Sequence, residues 1–121
     1  MKIISFAWTT PAFKAGAKTV TRRSWSDSYA KSFRRGDLVQ AWDRLPRAGG
    51  KRVGTIELTT DPYQEHVGLA HAEEYRCEGL AWMEQQGMKI QGVSPLDFWK
   101  DWQQSNEIVW VVRFKVVEAA P

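Results

Sequence analysis

A single cysteine, Cys77, rules out a disulfide framework in this 121-residue chain. A lone thiol in a helical stretch reads first as a small core residue and only second as a nucleophile. That usage points to a reducing compartment. No apolar run approaches the roughly 20 residues that cross a bilayer. The chain does not open on an apolar stretch with a cleavage site. The expectation is a cytoplasmic protein without membrane contact. Metal chemistry is equally thin: His66 and His71 lack a cysteine or carboxylate at ligand spacing. The H-x-E and C-x-x-C pair of a zinc deaminase is missing, as are a P-loop and a G-x-G-x-x-G turn. No metal and no cofactor are implied.

Other features are plentiful. Hydrophobic residues make up 43% and charged residues 26%, which places residues 1–121 as one ordinary globular domain. Seven tryptophans are unusual for this length; some must serve the core, but tryptophan is also a ready stacking surface for nucleobases. Residues 1–60 hold 12 Lys/Arg against 4 Asp/Glu, whereas residues 61–121 hold 5 against 10. A basic half suits a phosphate-bearing or otherwise anionic partner, provided folding does not mix the halves into a neutral surface.

Along the chain, Ile3 to Trp8 alternates as a first strand. Thr10-Pro11 opens a short helix that Gly16 ends, and a second strand runs from Lys18 to Trp25. A turn at Arg34-Arg35-Gly36-Asp37 leads into a hairpin of Leu38–Asp43 and Arg52–Thr59. Leu69 to Gln86 reads as helix broken at Gly79, and Ser94-Pro95 caps a helix over Pro95–Gln104, with Leu96, Trp99 and Trp102 turned inward. Ile108 to Val117 is the clearest strand, with Ile108, Trp110, Val112, Phe114 and Val116 along one face. The fold class expected is α+β: about five strands in a small closed barrel, with the last strand sealing its edge.

The stretch richest in chemistry is Gly16-Ala17-Lys18-Thr19-Val20-Thr21-Arg22-Arg23. Glycine lets the backbone turn, and Thr-Val-Thr favours an extended strand, so Lys18 falls at a loop-to-strand junction. The plain alternative is an edge strand with solvated basic residues. In a regular strand, residues three apart point to opposite faces. Lys18 and Thr21 therefore meet only if Lys18 lies in the turn, or if a bulge re-aims one of them.

The pattern G-x-K-T-x-T-R, together with Arg35-Gly36-Asp37-Leu38-Val39, the Glu78-Gly79-Leu80 step and Phe98-Trp99 ahead of a V-V-R-F strand, resembles the ASCH domain family, a branch of the PUA-like β-barrels. The likeness runs from Ile3 to about Val117. It implies a PUA-like barrel of five or six strands with peripheral helices and a cleft beside the G-x-K-T turn. It also implies binding of RNA or a modified nucleoside. One branch to which the chain is similar removes the acetyl group from 4-acetylcytidine. That resemblance implies Lys18, Thr21 and Glu78 as the catalytic set, with Glu73 and Glu74 as competitors for the third place. The extra length around residues 81–104 separates this chain from the small amidohydrolases of that branch.

Threonine is a poor nucleophile until a neighbour takes its proton, and lysine can do so only if burial or nearby Arg22 and Arg23 lower its pKa. Glu78 would shuttle a proton to the leaving nitrogen or bind the edge of the base. Arg22, Arg23, Arg35, Trp8 and Trp25 are the candidate substrate-binding residues. Two function classes result: a metal-independent hydrolase acting on an acylated nucleoside or on RNA, and a non-catalytic reader of RNA or a modified base.

Overall fold

The strand β6, Ile108–Ala119, is the one on which the rest of the sheet is hung, and its β-branched and aromatic run favours extended backbone. In this computed structural model, which describes residues 1–120, the N-terminal half of β6 is paired along both edges. The strand β2 (Val20–Arg23) lies antiparallel on one side and β5 (Tyr63–His66) on the other. The C-terminal half of β6 pairs with β4 (Arg52–Leu58). In turn β4 forms the expected hairpin with β3 (Leu38–Trp42), and β3 takes β1 (Ile3–Ser5) in parallel. Six strands among the described residues thus build one curled sheet, a half-barrel, along the path β1-β3-β4-β6-β2, with β5 also on β6. Register shifts at Ala41/Trp42 and Thr55/Ile56 add local bend.

The sheet differs from the closed barrel expected. Instead of sealing an edge, β6 runs through the interior of the sheet, and no ladder joins β1 to β2 among the described residues. Both are short, and Ala7 turns the chain out of β1 with φ +44°. The β1–β3 contacts continue only to Phe6 and Ala7, whose N–H groups donate to the carbonyls of Trp42 and Asp43. Trp8 therefore leaves the strand and stands half exposed. The open seam between β1 and β2 is the feature that positions the site.

Helices pack around this sheet: α1 (Thr10–Lys14), α2 (Asp27–Ala30), α3 (Glu74–Cys77), α4 (Leu80–Gln85) and α5 (Pro95–Ser105). Ser94 caps α5 by accepting from the Asp97 N–H, with Pro95 in the first turn where a missing N–H costs nothing. One apolar core fills the curl, with Phe6 stacked on Phe13 at 4.8 Å and both close to Phe114. A second lies among the helices around Leu80, Met83, Ile90 and Trp99. Val109 to Val112 are buried on both faces of β6. Ile108, Val116 and Leu96, expected inward, are instead exposed, because they fall at the end of a ladder, beyond the core and in the first turn of a helix. No helix among the described residues is long and apolar enough to cross a membrane.

Candidate functional site

Gly16 sets the geometry. It adopts φ +74° and closes α1 with a pair of bonds, Gly16 N–H to the Phe13 carbonyl and Ala17 N–H to the Ala12 carbonyl. This is the Schellman arrangement, for which glycine is favoured because it has no Cβ to clash. Three residues then lead into β2, which begins at Val20. Lys18 consequently lies ahead of the strand, just after the turn, and its amine meets Glu78 on the side that Arg22 also takes, while Thr21 lines the same cavity. Thr21 and Arg23 leave β2 on one face, and Arg22 leaves on the other, towards the helices.

A second glycine docks the acidic partner. Gly79, between α3 and α4, has φ +87°, and a Cβ there would fall 2.6 Å from the Ala12 Cβ and 3.3 Å from the Lys18 Cβ. Only a bare backbone fits. It presses the Glu78-Gly79 step against the turn that carries Lys18, and the Thr19 N–H donates to the Cys77 carbonyl beside it. Gly79→Ala should therefore lower unfolding free energy by roughly 2–4 kcal/mol in a urea titration, through combined strain and overpacking. A loss below about 0.5 kcal/mol would mean that the close approach is dispensable.

Around these two turns lies an ion network. The buried Lys18 ammonium donates to the Glu78 carboxylate at 2.8 Å and to the Glu78 carbonyl at 2.9 Å. The Arg22 guanidinium, its side chain fully buried, donates to Glu78 Oε2 at 2.8 Å, Glu74 Oε1 at 2.6 Å and Glu65 Oε1 at 2.9 Å. Arg113 reaches Glu74 at 2.7 Å and the Tyr63 hydroxyl at 2.9 Å. Arg23 donates to Thr21 Oγ1 at 3.0 Å and to the Ser5 carbonyl across the seam. Four cations face three carboxylates, and Arg23 is the cation without a carboxylate bond among the described residues.

Burial is the largest influence on Lys18 and pushes its ammonium below the usual lysine value; Glu78 opposes this, and Arg23 and Arg22 add to it. Burial alone would raise the Glu74 carboxyl, but the hydrogen bonds from Arg22 and Arg113 outweigh it and hold the group below its ordinary value. A depressed carboxyl stabilises the fold above the unfolded value, and that contribution is lost as pH falls through the folded one. The urea midpoint should accordingly fall as pH drops below about 4.5, and Glu74→Gln should flatten that dependence. An identical slope in the variant would remove Glu74 from the account.

The network borders a cavity of about 210 Å³ at the β1–β2 seam. It is lined by the polar side chains of Lys18, Thr21, Arg22, Arg23 and Glu78 and by the apolar side chains of Trp8, Leu80, Ile90, Phe98 and Trp102. Trp8 meets Phe98 edge-on at 6.2 Å. Searches against family models and curated proteins found no match. Among solved structures, the chain resembles the crystal structure of a protein from Enterococcus faecalis assigned to the family model DUF984. The TM-score is 0.60 and the identity 14%, over 96% of this chain and 76% of that one. At that identity the likeness is one of fold.

Not every candidate residue reaches the cavity. Trp25 stacks on Phe33 at 4.7 Å and serves the core inside the curl, because β2 ends at Arg23 and the chain has turned away. Arg35 stands in the tight turn before β3, where its N–H donates to Asp61, and it is not among the lining residues. Glu73 is exposed and pairs with Arg76. Glu74 joins the network one helical turn before Glu78 without lining the cavity. The sequence reading missed Glu65, Tyr63 and Arg113. Glu65 and Tyr63 lie on β5, a short polar strand after Asp61-Pro62 whose pattern gives no strand signal, and Arg113 was visible only as a polar position on β6.

Proposed function

We propose that this chain is an ASCH-like domain of PUA-like type whose pocket binds a modified nucleoside, free or within RNA, and hydrolyses an acyl group from it without a metal, as a 4-acetylcytidine amidohydrolase does. The observation that carries this reading is the convergence of Lys18, Thr21 and Glu78 on one cavity that aromatic side chains also line. The face of a base suits the Trp8 and Phe98 side chains, and an exocyclic amide suits the polar ones. The chemistry balances with these residues alone. The Thr21 oxygen attacks the acyl carbon while its proton passes to neutral Lys18. The tetrahedral intermediate then collapses, breaking the carbon–nitrogen bond, and the lysine proton goes to the leaving amine. Water, giving its proton to the same lysine, then attacks the acyl carbon; the bond to the Thr21 oxygen breaks, and the lysine proton returns to that oxygen as the acid leaves. Glu78 holds the lysine and orients it.

One observation favours the second reading, a non-catalytic reader. The Lys18 amine donates to Glu78 and not to Thr21, so the base and the nucleophile are not in contact. Such contacts often tighten only when substrate is bound, and a pure reader has no use for the pair. The deciding experiment incubates the purified protein with 4-acetylcytidine, other N-acylated nucleosides and single-stranded RNA, and follows substrate by chromatography. Loss of the acyl group supports the hydrolase, and cleaved RNA would make it a ribonuclease. Binding of a nucleoside without turnover supports the reader, and neither binding nor turnover overturns both.

A further inference from the structure

Arg23 is the cation of the network that bonds no carboxylate among the described residues. Its Nε–H donates to Thr21 Oγ1 at 3.0 Å, one terminal N–H donates to the Ser5 carbonyl at 2.5 Å, and its guanidinium carbon lies 5.7 Å from the centre of the Phe6 ring. These contacts come from two strands that share no ladder, so the planar fork is fixed across the seam. A partly buried cation that bonds no carboxylate is costly, and a neutral amide would bridge the same gap at lower cost. What the charge adds is its action on the threonine oxygen. A hydroxyl has one proton and two lone pairs. Arg23 occupies one lone pair, and no acceptor for the Thr21 proton is present among the described residues. Thr21 lines the cavity, and its proton and second lone pair are not taken up by any bond among the described residues.

We propose that Arg23 positions and activates the Thr21 hydroxyl, holding its oxygen as an acceptor, leaving its proton to the pocket and stabilising negative charge as it develops there. The proposal rests on the reading of Thr21 as the reacting group. Arg23 keeps all its protons throughout. The proton leaves Thr21 for Lys18, on which Arg23 also acts by opposing a second positive charge nearby.

The test replaces the reacting atom by one whose acidity is read directly. In Thr21→Cys made on a Cys77→Ala background, so that one thiol is present, the introduced thiol, titrated by thiolate absorbance and by the pH dependence of alkylation, should ionise at least about one unit below the ordinary ~8.5. Adding Arg23→Gln should raise that value by about one unit or more, while adding Lys18→Gln tests how much the lysine contributes. If the glutamine variant does not fold, as judged by circular dichroism, Arg23→Lys takes its place. It keeps a cation at the seam but loses the fixed fork, and should raise the thiol value by a smaller, measurable amount. A thiol value that is the same with and without Arg23 overturns the proposal. Where acylated nucleoside is hydrolysed, Arg23→Gln should lower kcat on the order of 10² with a much smaller change in KM. Its rising pH–rate limb should move to higher pH, and added guanidinium should restore part of the rate of Arg23→Ala. A shifted thiol in a protein that hydrolyses nothing would sink the hydrolase reading and leave the role of Arg23 standing, so the two failures are distinguishable.

Discussion

Arg22→Met should lower the unfolding free energy by on the order of 3–5 kcal/mol, read from the urea midpoint at unchanged slope. Arg22 bonds three carboxylates on separate pieces of the fold: Glu65 on β5, Glu74 on α3, and Glu78 at the step into α4. Its guanidinium also lies 5.9 Å from the ring of Trp99 on α5. Methionine fills comparable space but leaves Glu65 with no cation and halves the partners of Glu74 and Glu78. Buried carboxylates without their partner set the penalty, not the lost attraction. Stability of an ordinary domain is about 5–15 kcal/mol, so the loss takes a large share of it. Arg22→Lys should recover little, because one ammonium cannot reproduce a fork that reaches three acceptors. Glu74→Gln in the methionine background should restore part of the loss, giving a coupling energy on the order of 1 kcal/mol or more in the double-mutant cycle. A cost below 1 kcal/mol for Arg22→Met would mean that the two apolar cores hold helices to sheet without the network.

The same residues show what a sequence can and cannot disclose. Gly16 and Gly79 were legible because positive φ leaves a local mark: each interrupts a helical stretch, and each proved to be a turn on which the site depends. The place of Lys18 ahead of β2 followed from Gly16. The ladder β3–β4 and the strand β6 were legible from alternation, and the α5 cap from Ser94-Pro95. What failed was non-local. Nothing in Tyr63-Gln64-Glu65-His66 marks a strand; it becomes one because β6 offers a free edge beside it. That pairing brings Glu65 to Arg22 and Tyr63 to Arg113. Trp25 and Arg35 adjoin plausible motifs in sequence, yet the chain turns away before each, and distance along the chain says little about distance across a curled sheet. The open seam was invisible for the same reason: whether β1 meets β2 depends on how far six strands curl, which no single segment encodes.

Lys18→Ala and Thr21→Ala should each reduce hydrolysis of an acylated nucleoside on the order of 10² or more in kcat, and the double variant should be little worse than either alone, because a nucleophile and its base act as a unit. The losses should differ in their pH dependence. With wild-type protein the rate rises as Lys18 gives up its proton, which burial makes easier than for a free lysine. In Lys18→Ala that limb disappears, and the residual rate should follow hydroxide. Glu78→Gln should act through the lysine. An amide still accepts a hydrogen bond but no longer favours the ammonium, so the rising limb should move to lower pH while the maximum rate falls. Glu78 also answers Arg22 at 2.8 Å, so the urea midpoint of this variant must be measured beside its rate. Equal rates in all three variants would place the chemistry elsewhere. Unchanged nucleoside affinity with no turnover in the wild type would make Lys18 and Glu78 a buried ion pair that shapes a binding pocket, and Thr21 one of its hydrogen-bonding walls.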